Sequence, residues 1–224
     1  KRDVLDVLDG ITAAGHPAAA VRARAVLSKF FAWCRGRDLV RLSPCDGVAL
    51  ESSSGDDEAE GANARILSDS EIAKLWKAAD AMAYPFGQMA KLMLLTGCRR
   101  DEVAAMRASE IDLAARTFTL APSRTKNKRT HTVFLADAAV TIIEGLDGVA
   151  NDAGYLFSTN GRTYATGYSK AKKQFDNLMT IPAWRFHDLR RSMVSGMARI
   201  GIALPVIERC VNHVSGSFDG IVGI

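Results

Sequence analysis

The stretch Arg185-Phe186-His187-Asp188-Leu189-Arg190-Arg191 places an imidazole and a guanidinium three residues apart. The pattern predicts the start of a helix, where side chains at that spacing lie on one face. A helix N-terminus presents unpaired N–H groups and the positive end of the helix dipole, so His187 and Arg190 there favour an anion such as phosphate. A His-x-x-Arg pair is common by chance, and its interpretation depends on the rest of the chain.

A second stretch, Thr96-Gly97-Cys98-Arg99-Arg100-Asp101-Glu102-Val103, lies between two predicted helices. Gly97 ends the first helix, and Arg99 and Glu102 are one turn apart at the start of the next. They form either a surface ion pair worth about 0.2–0.5 kcal/mol, or an arrangement in which Glu102 holds the Arg99 guanidinium in place for a ligand. The sequence leaves both interpretations open.

From Ile111 onward the hydrophobic pattern changes to the alternation of strands. Residues 117–120 and 132–135 alternate with a polar turn region between them, which predicts a small antiparallel sheet. The range 116–131 contains no acid and the following basic side chains: Arg116, Arg124, Lys126, Lys128, Arg129 and His131. Such a hairpin is either a solvated surface or a finger that enters a DNA groove, and the clustering of charge favours the groove.

The remaining periodicity is helical. Ser68 and Glu71 have capping-box spacing and begin a helix predicted to end near residue 82, and Pro85 begins another that ends at Gly97. Helical patterns return at 136–146, at about 167–179, after residue 185 and from Pro205, with Asn212-His213 just past the last. The predicted fold class is therefore mainly α with a small antiparallel β-sheet (α+β).

Composition divides the chain into two domains. Residues 1–50 contain two helical patterns separated at Gly15, and residues 51–63 carry five acids and no base. The acidic piece has no large apolar side chain and predicts a flexible linker. Residues 64–224 form the second domain.

In the first domain, residues 1–50, the basic side chains of Arg22, Arg24 and Lys29 fall largely off an apolar helix face. Such a position suits contact with either solvent or phosphate. That predicted face consists of Val21, Ala25, Phe30, Phe31, Trp33 and Cys34.

The chain has 224 residues, of which 48% are hydrophobic, and a formal net charge of +4. This composition supports a substantial core, but so small a charge does not by itself indicate nucleic-acid binding. No apolar run reaches the about 18 residues that span a bilayer, and Lys1-Arg2-Asp3 does not open a signal peptide, so the predicted location is the cytoplasm. No metal-ligand set is evident, and four cysteines lack metal-binding spacing: Cys34, Cys45, Cys98 and Cys210.

Four motifs occur in order: Thr96-Gly97-x-Arg99-x-x-Glu102, Lys126 in a strand turn, His187-x-x-Arg190 and Val211-Asn212-His213. Together they resemble the tyrosine recombinase (phage integrase) family. Residues 64–224 are similar to its catalytic domain. Residues 1–50, with Phe30-Phe31-x-Trp33, are similar to the C-terminal part of the helical core-binding (DNA-binding) domain of prophage and genomic-island integrases.

The resemblance implies site-specific DNA recombination, which integrates or excises mobile DNA. Strands are cut and rejoined through a 3′-phosphotyrosyl intermediate that keeps the bond energy, so no nucleotide cofactor and no metal is implied. The implied partners are double-stranded DNA and further copies of the chain, assembled as a tetramer on recombination sites. No membrane and no small-molecule substrate is implied.

The resemblance also implies roles for single residues. Arg99 and Arg190 brace the phosphate, and Glu102 orients the arginines. Lys126 is the general acid, with Lys128 as the alternative because turn length blurs the register. His187 accepts or relays the tyrosine proton, and His213 donates a hydrogen bond to the phosphate. The predicted DNA contacts are Arg124, Lys128, Arg129, Arg22, Arg24 and Lys29.

The nucleophile is the member of the set without a match. The chain has four tyrosines, Tyr84, Tyr155, Tyr164 and Tyr168, and all of them precede His187. The family's nucleophile, in contrast, follows the last histidine. The Gly-rich residues 214–224 resemble the subgroup in which a similar turn runs directly into the catalytic tyrosine. We therefore expect the nucleophile just after Ile224, and expect this chain to be truncated before it, to bind DNA and not to cleave it.

Two other functions remain open at this point. One is a non-catalytic module that binds duplex DNA. The other is a metal-free phosphodiesterase acting on RNA, in which His187 and His213 serve as acid and base and a ribose 2′-hydroxyl is the nucleophile. Neither of them requires the full ordered set of motifs.

Overall fold

A computed structural model describes residues 1–49, 65–125, 127–146 and 153–212. Its contacts divide into two compact units, Lys1–Ala64 and Arg65–Ile224. The predicted linker at 51–63 lies outside the described residues. The identification of the first unit as part of a core-binding domain stays a prediction.

The described part of the first unit, residues 1–49, contains the helices α1 (Arg2–Ala13) and α2 (Pro17–Arg35). Between them Gly15 takes a φ of 82°, a left-handed conformation that favours glycine. Pro17 occupies the first position of α2, where its missing N–H leaves no helical bond unmade. The small core consists of Val4, Leu8, Ala20, Cys45 and Val48.

The apolar face predicted for α2 is partly wrong. Phe30 is 53% exposed and Trp33 is 49% exposed, and the two rings stack on each other. The helix packs instead through a stripe that follows the 3.6-residue period, with Ala20 buried and the others partly buried: Ala20, Ala23, Leu27 and Phe31. The predicted set spans too much of the helix circumference to be buried by one neighbouring helix.

The second unit is mainly helical. Its helices are α3 (Asp69–Ala81), α4 (Phe86–Thr96), α5 (Arg100–Ala104), α6 (Asp137–Glu144), α7 (Tyr168–Leu178), α8 (Phe186–Arg199) and α9 (Leu204–Cys210). The capping box at the start of α3 is confirmed, because Ser68 Oγ accepts from Glu71 N at 3.3 Å and Glu71 Oε2 accepts from Ser68 N at 2.9 Å. The predicted end of α4 is also confirmed, with Gly97 at a φ of 63°.

Among the described residues of this unit, three antiparallel strands form a sheet, in the order β1 (Ile111–Asp112), β2 (Thr117–Leu120) and β3 (His131–Phe134). Phe118 pairs with Val133 and Leu120 pairs with His131. These four side chains are buried, whereas the intervening ones point outward. The strand β3 begins one residue earlier than the sequence predicted, so that His131 belongs to its buried face.

Helix α4 is the centre of the second core. It packs against α3, α5, α6 and α8, and its apolar residues are buried on all sides, as expected for a helix that other elements surround. Large buried side chains from the sheet and from α7, including Phe118 and Phe175, complete the same core. The mainly α fold with a small antiparallel sheet is thus confirmed.

Candidate active site

Arg190 is the centre of the site. It lies on α8, is 8% exposed, and donates from Nη1 to the Gly97 carbonyl at 2.6 Å and from Nη2 to the Val211 carbonyl. These two carbonyls belong to the residues that end α4 and α9. One guanidinium therefore joins three helices, and with five N–H groups it retains three donors for other partners.

The start of α8 is held by Asp188, which the sequence analysis did not assign. This carboxylate is fully buried; its Oδ2 accepts from Arg185 N at 2.7 Å, and its Oδ1 accepts from Arg191 Nη1 at 2.9 Å. An acid three residues after the N-cap is the capping-box position, and that signal was present in the sequence. Asp188 thus fixes the helix turn from which Arg190 projects.

Arg99 and Glu102 are not a surface pair. Glu102 is 6% exposed, and its two oxygens accept from Arg99 Nη1 at 2.9 Å and from Arg99 N at 2.7 Å. The Arg99 side chain is 30% exposed, so part of it stays accessible. Of the two interpretations that the sequence left open, the geometry supports the one in which Glu102 holds Arg99 in place.

The two arginines repel one another within this site. The pKa of Arg190 is lowered mainly by its burial and further by the charge of Arg99, while Glu102 opposes the shift. Burial raises the pKa of the neighbouring Cys98 thiol to about 12, which keeps it protonated and uncharged. Two cations beside a single carboxylate leave an excess of positive charge, which an anion between them would relieve.

His131 also belongs to this cluster, although the sequence analysis gave it no role. Burial lowers its pKa, the Arg190 and Arg99 charges lower it further, and Glu102 and a hydrogen bond with the backbone of Cys210 raise it. The imidazole is therefore expected to be neutral near pH 7. The signal available in the sequence was strand alternation, because residues 131, 133 and 135 share one face.

Arg124 supports the cluster from behind. Its Nη2 donates to the Glu102 carbonyl at 2.9 Å, and its Nη1 is paired with Glu110. The same Glu110 oxygen accepts from Arg107 N at 2.9 Å. The described contacts place Arg124 within the protein, and its predicted contact with DNA stays a prediction.

Of the other predicted site residues, those that the structure describes are exposed. His187 lies exposed on the first turn of α8, and Lys128 and Arg129 lie exposed in the turn before β3. In the first unit, the basic side chains on α2 are likewise exposed: Arg22, Arg24 and Lys29. Lys126 and His213 lie outside the described residues, so their predicted roles as general acid and phosphate ligand stay predictions.

Three of the four tyrosine hydroxyls form hydrogen bonds within the protein. Tyr84 OH donates to the Leu156 carbonyl at 2.6 Å, Tyr155 OH accepts from Arg107 Nη2 at 2.7 Å, and Tyr168 OH donates to the Ala165 carbonyl at 2.8 Å. Burial raises the pKa of Tyr168 to about 12, which makes its phenolate scarce at neutral pH. The Tyr164 ring packs edge-on against Tyr155, with centroids 5.7 Å apart.

Gly97 offers a test of how closely the site is packed. A Cβ there would lie 3.0 Å from Met193 Sδ and 3.1 Å from Val211 Cγ1, in addition to the strain of a positive φ. Gly97→Ala is expected to lower the free energy of unfolding by about 2–4 kcal/mol, the sum of both effects. Urea unfolding followed by circular dichroism measures this change.

The matched control is Gly201→Ala, at a φ of 85° with no atom within 4 Å of the added Cβ. It is expected to cost only about 1 kcal/mol, from backbone strain alone. Equal losses for the two variants would show that packing around Gly97 is loose.

The described ranges contain neither a membrane-spanning helix nor a His/Cys/Asp/Glu cluster that could hold a metal ion. None of the helices there has both the length and the hydrophobicity of a membrane span. Nor do these ranges contain a group of three or more histidine, cysteine, aspartate or glutamate side chains placed to hold a metal ion.

Among solved structures, several are similar in fold. XerA recombinase is 20% identical, with a TM-score of 0.60 over 70% of this chain and 59% of that chain. A lambda integrase dimer bound to a COC′ core site is 15% identical, with a TM-score of 0.70 over 96% of this chain and 78% of that chain. The Tn1549 transposon integrase, in complex with a circular intermediate DNA, is 12% identical, with a TM-score of 0.69 over 96% of this chain and 77% of that chain. This chain thus spans less than two thirds of the XerA recombinase chain.

Curated protein sequences contain no significant match to this chain. The sequence pattern of the phage integrase family, in contrast, matches residues 65–218, which include both arginines, Glu102 and the segment around His187. That match covers more than half of the chain and nearly all of the second unit. This chain therefore belongs to the phage integrase family.

Proposed function

We propose that the chain belongs to a site-specific DNA recombinase, which cuts and rejoins strands through a 3′-phosphotyrosyl intermediate. The observation that carries this proposal is the arginine pair. Arg99, the N-cap residue of α5, and Arg190, on α8, interact electrostatically and are both held by hydrogen bonds before any ligand binds. Preset donors of this kind stabilise charge that develops on the non-bridging oxygens of a phosphate.

In the proposed reaction, a tyrosine oxygen attacks phosphorus, and the bond from phosphorus to the 5′-oxygen breaks. The nucleophile loses its proton to His187, or through it, and the leaving 5′-oxygen takes a proton from Lys126. His213 donates a hydrogen bond to the phosphate. Rejoining is the reverse, with a 5′-hydroxyl as nucleophile, so no nucleotide cofactor is needed.

We propose duplex DNA as the substrate and partner. The lambda integrase and Tn1549 integrase structures similar to this one hold DNA, and another lambda integrase structure is a tetramer bound to a Holliday junction. In the second unit, Lys128 and Arg129, which follow the predicted general acid in the sequence, are exposed. In the first unit, Arg22, Arg24 and Lys29 are exposed on α2. These side chains are the proposed phosphate contacts, and assembly as a tetramer on mobile-element DNA is proposed with them.

DNA binding is expected to weaken steeply with salt. Each phosphate that the chain neutralises should add about −0.9 to the slope of log K against log salt, because bound counterions are released. Fluorescence anisotropy with a labelled duplex at several salt concentrations measures the slope. Lys128→Ala and Arg129→Ala should each make it shallower by about one unit.

Lys74→Ala removes one exposed charge from helix α3 and serves as the control, with no expected change of slope. A wild-type slope near zero would contradict the proposed interface. Cleavage of RNA by the same protein, without binding to duplex DNA, would instead favour a phosphodiesterase.

A further inference from the structure

Three consecutive residues at the end of α9 are each held by a different part of the second unit. Each forms a hydrogen bond with a residue distant in the sequence: Cys210 with His131, Val211 with Arg190, and Asn212 with Asn127. The backbone of Cys210 is joined to β3, the Val211 carbonyl to α8, and the Asn212 side chain to the turn between β2 and β3. The end of α9 is therefore a junction of the site.

The contact between Asn127 and Asn212 is reciprocal. Asn127 Nδ2 donates to Asn212 Oδ1 at 2.5 Å, and Asn212 Nδ2 donates to Asn127 Oδ1 at 3.3 Å, across 85 residues of sequence. Both side chains are half-buried. Each side-chain amide supplies one donor and one acceptor to this pair. Removing either residue therefore breaks both hydrogen bonds of the pair.

Both partners sit on backbone that is itself constrained. Asn212 has a φ of 51°, in the left-handed region that asparagine tolerates better than most residues, and its N–H donates to the Arg209 carbonyl at 3.1 Å. In the turn, Asn127 Oδ1 also accepts from Arg129 N at 3.3 Å, and Thr125 Oγ1 donates to the Arg129 carbonyl at 2.7 Å. A shift at one end of the pair is therefore transmitted to the other instead of being absorbed by a loose turn.

We propose that Asn127 and Asn212 form a latch that positions the tip of the β2–β3 hairpin relative to the end of α9. Asn127 directly follows Lys126, and Asn212 directly precedes His213. One contact thus aligns the two chain segments that carry the predicted general acid and the predicted phosphate ligand. The significance of this alignment for strand cleavage rests on the proposed function. Both asparagines are positioning residues that need not touch DNA.

Amide hydrogen exchange by NMR, on the chain without DNA, tests the latch. The informative variant is Asn212→Gly, because it removes no atom from the hairpin and suits a positive φ. Exchange of the Lys128 and Arg129 amides is expected to become about five-fold faster, the change that corresponds to losing about one net hydrogen bond. The thermal midpoint and exchange in the α4 core are expected to stay unchanged.

Two further variants sharpen the test. Asn212→Asp keeps the oxygen that accepts from Asn127 Nδ2, so exchange in the hairpin should stay within about two-fold of wild type. Asn160→Ala removes an asparagine whose hydrogen bonds lie within an exposed loop, and it should leave the hairpin unaffected. The double variant Asn127→Ala/Asn212→Gly should lose no more protection of the hairpin amides from exchange than Asn127→Ala alone. The effects of removing two partners of one contact do not add.

Unchanged exchange at Lys128 and Arg129 in Asn212→Gly would overturn the latch. Faster exchange throughout the second unit, with a lower thermal midpoint, would overturn it as well, because the pair would then support stability in general. DNA affinity, measured in parallel, separates this result from the proposed function. If the wild-type chain fails to bind duplex DNA, the proposed function fails, while the exchange data still decide whether the latch exists.

Discussion

Replacement of Arg190 by alanine is expected to slow strand cleavage by about 100- to 1,000-fold, the effect of removing one preset oxyanion donor. The measurement is single-turnover cleavage by a form of the chain that carries a tyrosine directly after Ile224. Binding of duplex DNA should change far less, because one phosphate contact among several is lost. Arg190→Lys should recover only part of the rate, because an ammonium group cannot reproduce the fork of donors.

Arg190→Ala also removes the donors that reach the Gly97 and Val211 carbonyls. Each carbonyl left unsatisfied is expected to cost about 1–3 kcal/mol of folding stability. Cleavage is therefore measured well below the thermal midpoint of the variant. Arg199→Ala, on the same helix but in an exposed pair with Asp69, is the matched control and should retain near wild-type rate and stability. Unimpaired cleavage by Arg190→Ala would remove this residue from the proposed mechanism.

The 224-residue chain itself is expected to form no covalent adduct with DNA. Three of its tyrosine hydroxyls have intramolecular hydrogen-bond partners, and partial burial raises the pKa of Tyr168 to about 12. A water molecule cannot replace a tethered nucleophile, whose positioning is worth about 7–11 kcal/mol. Incubation with a nicked suicide duplex, followed by denaturing electrophoresis, detects any protein–DNA adduct.

The control is the same chain with a tyrosine added directly after Ile224, which is expected to give a shifted band. A shifted band from the unextended chain would mean that one of its own tyrosines is the nucleophile. Phenylalanine substitutions at Tyr84, Tyr155, Tyr164 and Tyr168 would then identify which one, and the site assignment would have to be redrawn around it.

The secondary structure followed from local chemistry. Ser68 and Glu71 predicted the start of α3 because a capping box involves residues three apart, and Gly97 predicted the end of α4 because a left-handed residue favours glycine. The basic hairpin followed from alternation on either side of a polar turn. The buried face predicted for α2 was partly wrong because several faces of that helix are apolar. Only packing against the neighbouring helix decided which of them is buried.

The sequence by itself determined the order and spacing of the motifs, and with them the pairing of Arg99 and Glu102 within one helical turn. Tertiary structure alone decided what surrounds them. Arg190 meets the Gly97 carbonyl across 93 residues, and Asn127 meets Asn212 across 85. Contacts of this kind have no periodicity, because they depend on how α4, α8, α9 and the hairpin pack against one another. The same packing turns Glu102 from a possible surface acid into a buried carboxylate that holds a guanidinium.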